Sequence, residues 1–170
     1  MLMLLDAIKF ADERHSGQFR KKSGEPYVTH PVAVSYLVAA YKRSSRLVEL
    51  LVAAILHDCL EDTKTTFEEL ARRFSPFVAS LVLELTNDPE QIAIMGKLAY
   101  QIKKCLGISS YALVIKLADR LHNISDSPSP QMVADTLVLM QRLREGRKLT
   151  KTHLEMVTAI EELCHAFNNK

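Results

Sequence analysis

His57 and Asp58 stand side by side directly after the apolar run 50–56, and Glu61 and Asp62 follow four residues on. On a continuing helix Glu61 would lie over His57 and Asp62 over Asp58. One imidazole and three carboxylates would then share two turns. Imidazole and carboxylate are good ligands for manganese, iron, zinc or a similar divalent ion, and a cation removes the repulsion among three close carboxylates. The same residues would also suit a solvated acidic helix end, although negative charge is unfavourable at a helix C-terminus. His30 precedes Pro31. With Pro31 as a first helical residue, His30 would be the N-cap or just before it, and taken alone it reads as a capping or surface histidine. Asp119 and Asn123 are four apart, with Lys116 a turn before Asp119. They would share one helix face, as would residues of an ordinary polar surface. His122 reads as structural. Arg20, Lys21 and Lys22, followed by Ser23, form either a local anion-binding cluster or a solvated basic turn.

The elements that must position these residues are helical. Apolar residues recur every three or four positions, as in Leu4, Ile8 and Ala11, and in Leu154, Val157, Ile160, Leu163 and Phe167. Pro31, Pro76, Pro89 and Pro130 suit first helical positions, the last three behind Ser75, Asp88 and Ser129 as N-caps. Gly107 and Gly146 sit where helices should stop. Thr65 with Glu68 and Thr152 with Glu155 have capping-box spacing. Residues 111–117 could pass for a buried strand, but their flanks are helical, and no alternating run demands a sheet. The expected fold is all-α, an orthogonal bundle of about eight or nine helices. The longest stretch without helical pattern is 16–29, which holds the basic cluster. Long loops inside compact domains are often functional.

A chain of 170 residues fits one domain, and no linker or repeat divides 1–170. No apolar run approaches the ~20 residues that cross a bilayer. The apolar start is interrupted at helical spacing by Asp6, Lys9 and Asp12, so it reads as an amphipathic helix rather than a signal peptide. No membrane partner is expected. Cys59, Cys105 and Cys164 are odd in number and far apart, which argues against a disulfide framework and fits a reducing cytoplasmic setting. The net charge of +2 is too small for bulk nucleic-acid binding. Apolar residues in the last two helices would serve the bundle or a homo-oligomer.

Three stretches, taken together and in order, resemble a known family. Residues 17–31, ending Pro26-Tyr27-Val28-Thr29-His30-Pro31, resemble the first signature of RelA/SpoT-type alarmone hydrolases in the HD-domain phosphohydrolase superfamily. His57-Asp58-Cys59-Leu60-Glu61-Asp62-Thr63 resembles the second, His-Asp-x-x-Glu-Asp-Thr. Residues 115–123, with Asp119 and Asn123, resemble the third. The likeness spans about residues 7–126, and the chain looks like a stand-alone small hydrolase, too short for the synthetase and regulatory domains of the long enzymes. It implies that His30, His57, Asp58 and Asp119 bind manganese or another divalent metal. It implies that Glu61 and Asp62 orient or deprotonate the attacking water, and that Arg20, Lys21, Lys22 and Ser23 meet the nucleotide phosphates. Asn123 would contact the nucleotide and Lys116 would support the site. Two departures stand out. The loop carries one basic residue more than the common Arg-Lys-Ser form, and Cys59-Leu60 replaces small or β-branched residues.

The residue types suit hydrolysis of a phosphate ester. A strongly polarising metal site lowers the pKa of water from about 15.7 towards about 7, manganese less than zinc. A nearby carboxylate completes the proton transfer. The expected reaction is removal of the 3′-pyrophosphate from guanosine tetra- or pentaphosphate, giving GDP or GTP; the guanine preference rests wholly on the resemblance. One alternative keeps the metal chemistry on another nucleotide, such as NADPH or a nucleoside monophosphate. Another is a nucleotide-binding regulator without turnover, which the complete set of candidate ligands argues against.

Overall fold

In the computed structural model, which describes residues 2–21 and 23–169, eleven helices account for the regular structure: α1 (Leu2–Arg14), α2 (Thr29–Tyr41), α3 (Leu47–Leu56), α4 (Cys59–Asp62), α5 (Phe67–Arg73), α6 (Pro76–Leu85), α7 (Pro89–Met95), α8 (Lys97–Gly107), α9 (Ser110–Ser125), α10 (Pro130–Gly146) and α11 (Lys151–Asn168). No strand occurs among the described residues; Phe19 and Pro26 make an isolated antiparallel bridge. The all-α expectation holds. The count rises because two expected helices are each split. The first breaks at His57–Asp58. The second breaks at Gly96, whose φ of +81° is a conformation that favours glycine and ends α7 before α8 begins. Residues 111–117 are helical, within α9.

The chain divides into two compact units, Met1–Thr86 and Asn87–Lys170. In the first, α3 packs against α1, α2 and α6, and α5 lies on α6. The sequence of α3 explains its central place. Leu50 and residues 52–56 are all buried, and a helix apolar on nearly every side is stable only inside a core. Removing a side chain such as Ile55 to alanine would cost about 2–5 kcal/mol. In the second unit α9 packs on α11, α10 on α8 and α11, and α7 on α8. Helix α9 buries Leu113, Ile115, Leu117 and Leu121 among others. Its polar stripe Lys116, Asp119, Asn123 keeps the opposite spacing, three and four residues apart.

Several local expectations are met. Ser75, Asp88 and Ser129 cap α6, α7 and α10, each ahead of its proline. Others shift. Helix α2 starts at Thr29, with no side-chain cap, so His30 lies inside its first turn and Pro31 is third. Proline is tolerated there because first-turn amides have no helical acceptor. The cap of α5 is Thr66, which accepts from Glu69 N, and not Thr65. Two threonines in succession offer the same spacing, but the buried Thr65 hydroxyl is taken by Thr63 at 2.7 Å. Thr150, and not Thr152, caps α11, and in the reciprocal bond the Thr150 amide donates to the His153 imidazole where a capping box more often has Glu or Gln. All three cysteines are free and buried.

Candidate metal centre

The first unit brings two turns together. The buried wall of α3 ends at His57, and Asp58, at φ −100° and ψ −2°, turns the chain before α4. His57 is 2 % exposed, and its Nδ1 lies 2.8 Å from Ala54 O. A carbonyl oxygen only accepts, so Nδ1 carries a proton, and Nε2 is left to hold a second proton or to bind a cation. That Nε2 is 2.9 Å from Asp58 Oδ2. His30, also 2 % exposed, has its Nε2 4.0 Å from the same oxygen. Ligand nitrogens of the two histidines come within 4.8 Å of each other.

This arrangement tests the metal expectation on chemistry. A neutral imidazole lone pair facing a carboxylate oxygen at hydrogen-bond distance is repulsive unless a proton or a cation shares the space. Two donor atoms each about 2.1 Å from one ion, at right angles, stand about 3.0 Å apart. Nitrogen and carboxylate donors suit manganese, iron, cobalt or zinc. His30, His57 and Asp58 therefore fit a divalent ion.

Around this cluster the candidate acid–base groups follow on α4. Asp62 N and Glu61 N donate to Asp58 O at 2.9 and 3.2 Å. The break after His57 removes the expected stacking of Glu61 over His57, while Asp62 keeps its one-turn relation to Asp58. Both carboxylates are on the exposed side. Partial burial, then the negative charges of Asp58 and Glu61, pushes the Asp62 carboxyl above its ordinary range. A carboxylate so placed is a better proton acceptor. Between Asp58 and these two, burial pushes the Cys59 thiol up to about 12, so it stays a neutral apolar filler.

The basic stretch folds as a short hairpin. Arg20 N donates to Glu25 O at 2.8 Å and Gly24 N to Arg20 O at 3.0 Å, with Gly24 at φ +73°. Arg20 is half-buried, and Lys21 and Ser23 are exposed. Lys22 lies outside the described residues. Gln18 Nε2 donates to Asp62 O at 3.0 Å, which ties the hairpin to α4. The second unit holds the remaining candidates on one face of α9. Lys116 Nζ is 3.3 Å from Asp119 Oδ2, and Asn123 Nδ2 donates to Asp119 Oδ1 at 2.6 Å.

Three residues escaped the sequence reading. Tyr27 donates its hydroxyl to Asp58 Oδ2 at 2.5 Å. The buried His15 lies against the Tyr27 ring, centroids 4.7 Å apart. Gln18 Oε1 is 2.8 Å from His15 Nδ1. The only available signal was a tyrosine in a polar loop three residues before a candidate ligand.

Comparison with known proteins gives the same picture. The HD domain family matches residues 7–138. The guanosine-3′,5′-bis(diphosphate) 3′-pyrophosphohydrolase MESH1 of Danio rerio is 37% identical over 125 residues, covering 73% of this chain and 68% of that one. The bifunctional (p)ppGpp synthase/hydrolase SpoT of Escherichia coli is 37% identical over 133 residues, 71% of this chain but 17% of the longer protein. A solved metazoan orthologue of SpoT, described as hydrolysing ppGpp, superposes with a TM-score of 0.78 at 27% identity, over 95% of this chain and 96% of that one. With the three signatures in order and the histidine–aspartate cluster formed, the chain belongs to the HD-domain family, in the group of the guanosine-3′,5′-bis(diphosphate) 3′-pyrophosphohydrolases.

Proposed function

We propose that the chain hydrolyses the 3′-pyrophosphate of guanosine tetra- or pentaphosphate, releasing pyrophosphate and GDP or GTP, with manganese as the bound ion. The observation that carries this is the convergence of His57 Nε2 and His30 Nε2 on Asp58 Oδ2, the donor set of a divalent site. These three residues would hold the ion, and Asp119 would join them by its place in the third family signature. When bound, the ion supplies polarisation of water and of phosphoryl oxygens. The protein's own groups do the rest. Asp62, its carboxyl raised by burial and by Asp58 and Glu61, takes the proton from the attacking water, with Glu61 beside it. Water adds to the phosphorus next to the 3′ oxygen, the bond from that phosphorus to the 3′ oxygen breaks, and the proton taken up by Asp62 passes to the leaving oxygen, which departs as the hydroxyl. Arg20, Lys21, Lys22 and Ser23 meet the dense charge of the two pyrophosphates. Lys116 and Asn123 steady Asp119 and face the nucleotide.

The HD-domain match over residues 7–138 includes the division at Thr86, which supports reading residues 1–170 as one HD-type domain. The substrate is a small molecule, and nucleic acid is not a partner. No described helix is long and apolar enough to cross a membrane, and three free cysteines suit a cytoplasmic setting.

The test is turnover. Purified protein is given guanosine tetraphosphate, NADPH and common nucleotides, with and without manganese, and products are separated by ion exchange. Pyrophosphate and GDP should appear only with metal. Turnover unchanged by chelator would overturn the metal mechanism, and turnover confined to other nucleotides would overturn the substrate. Metal binding with no turnover of any nucleotide would point to a regulator.

A further inference from the structure

Asp58 Oδ2 serves three neighbours. It faces both imidazoles and accepts the Tyr27 hydroxyl at 2.5 Å. Nothing in the proposed chemistry uses that hydroxyl, yet the surroundings of Tyr27 fix it closely. Its ring lies tilted on His15 at 4.7 Å and edge-on to His30 at 5.8 Å. Its amide donates to Gln18 O at 3.0 Å, and its carbonyl accepts from His30 N at 3.0 Å. His15, 3 % exposed, is itself fixed by Gln18 Oε1 at 2.8 Å and lies 3.7 Å from Cys59 Sγ. A donor held this firmly loses little freedom when it binds.

We propose that Tyr27 is a positioning residue for metal binding, its hydroxyl holding the Asp58 carboxylate with Oδ2 turned toward His30 and His57. The reason is geometric. Asp58 is only partly buried, and a turn of its carboxylate would carry Oδ2 away from His57 Nε2 and His30 Nε2. A charge-assisted hydrogen bond from a fixed phenol opposes that rotation. The site then meets the ion with its oxygen already in place, as outer hydrogen bonds do for metal ligands in general. The hairpin thus contributes to the metal centre through Tyr27 as well as to the phosphates through Arg20.

This inference rests on the metal reading, and manganese titration separates the two. Binding is followed by calorimetry or by the loss of the free-ion paramagnetic resonance signal, with no substrate present. Tyr27→Phe should weaken manganese binding about 10- to 100-fold, while its metal-free melting temperature stays close to that of the parent. In an Asp58→Ala background the same change should have no further effect on affinity, because there is no carboxylate left to hold. If the parent binds manganese and Tyr27→Phe binds it equally well, the positioning role is wrong and the metal centre stands. If Tyr27→Phe weakens binding as much in the Asp58→Ala background as in the parent, Tyr27 does not act through that carboxylate. If the parent binds no manganese, both fail. Should Tyr27→Phe melt early, His15→Gln, which loosens the ring and leaves the hydroxyl, must weaken manganese binding to a smaller degree; unchanged affinity there would overturn the proposal.

Discussion

The two acidic candidates for the metal, Asp58 and Asp119, sit in opposite electrostatic settings. In the first unit Asp58 Oδ2 faces the Nε2 atoms of two imidazoles, 2.9 and 4.0 Å away. In the second, Asp119 is already compensated, with an ammonium 3.3 Å from one oxygen and an amide 2.6 Å from the other. An electron-rich cluster gains from any cation that enters it. A compensated carboxylate is stable without one, and its remaining lone pairs still allow coordination. On the proposed reading, the drive for metal capture would belong to the His57–Asp58 turn, and Asp119 on α9 would be a carboxylate that is steady in the absence of metal.

The strongest test of that contrast is the same substitution at both places. Asp58→Asn and Asp119→Asn should each lower turnover by about 10³-fold, on the scale of losing a group that stabilises the transition state, as measured on guanosine tetraphosphate with saturating manganese. Full activity in Asp119→Asn would remove α9 from the centre. Their metal-free stabilities should move apart. In Asp58→Asn the group that replaces Oδ2 can donate to His57 or accept from Tyr27 but not both, so the exchange should be near neutral, within about 1 kcal/mol, or about 2–4 °C by calorimetry. Asp119→Asn removes the charged half of its ion pair with Lys116, a loss of about 1 kcal/mol after allowing for solvent screening. Equal melting losses at the two positions would break the comparison.

A smaller effect concerns Asp62. Its carboxyl is raised in the folded state by burial and by Asp58 and Glu61. The folded chain then holds that proton to higher pH than the unfolded chain, so ionisation lowers stability as pH rises through the window between the two values. Asp62→Asn should therefore stabilise the metal-free protein at neutral pH. The gain should fade in acid, below the ordinary carboxylate range, and denaturant melts at both pH values would show it. Equal gains at both would sink the explanation. The smallest expected change is at Lys116. Replacing it with methionine removes a positive charge beside a ligand and should tighten manganese binding a few-fold, worth about 0.5–1 kcal/mol; unchanged affinity would mean that Lys116 and the ion do not compete for Asp119.

Much of this was readable from residue order. Proline behind a capping side chain marked α6, α7 and α10, and the apolar run before His57 announced a buried wall with ligands at its end. What escaped reading has physical causes. No glycine or proline marks the break at His57–Asp58, where the chain turns in an ordinary right-handed conformation. The Tyr27–Asp58 bond spans 31 positions, and hydrogen bonds at that range have no local pattern. The cap of α5 slipped by one because Thr65 and Thr66 offer the same spacing to Glu68 and Glu69. At α11 an imidazole does what a carboxylate or amide was expected to do.

The burial of every thiol has a practical outcome. Cys59 and Cys164 are fully inaccessible and Cys105 is 2 % exposed, with burial raising all three thiols. Alkylating reagents, which attack thiolates, can reach these sulfurs only during transient opening of the chain. Cys59 reports openings in residues 1–86 and the other two report openings in residues 87–170. Pulse labelling read by mass spectrometry is thus a built-in gauge of whether the halves breathe together or separately, and of which half manganese quiets.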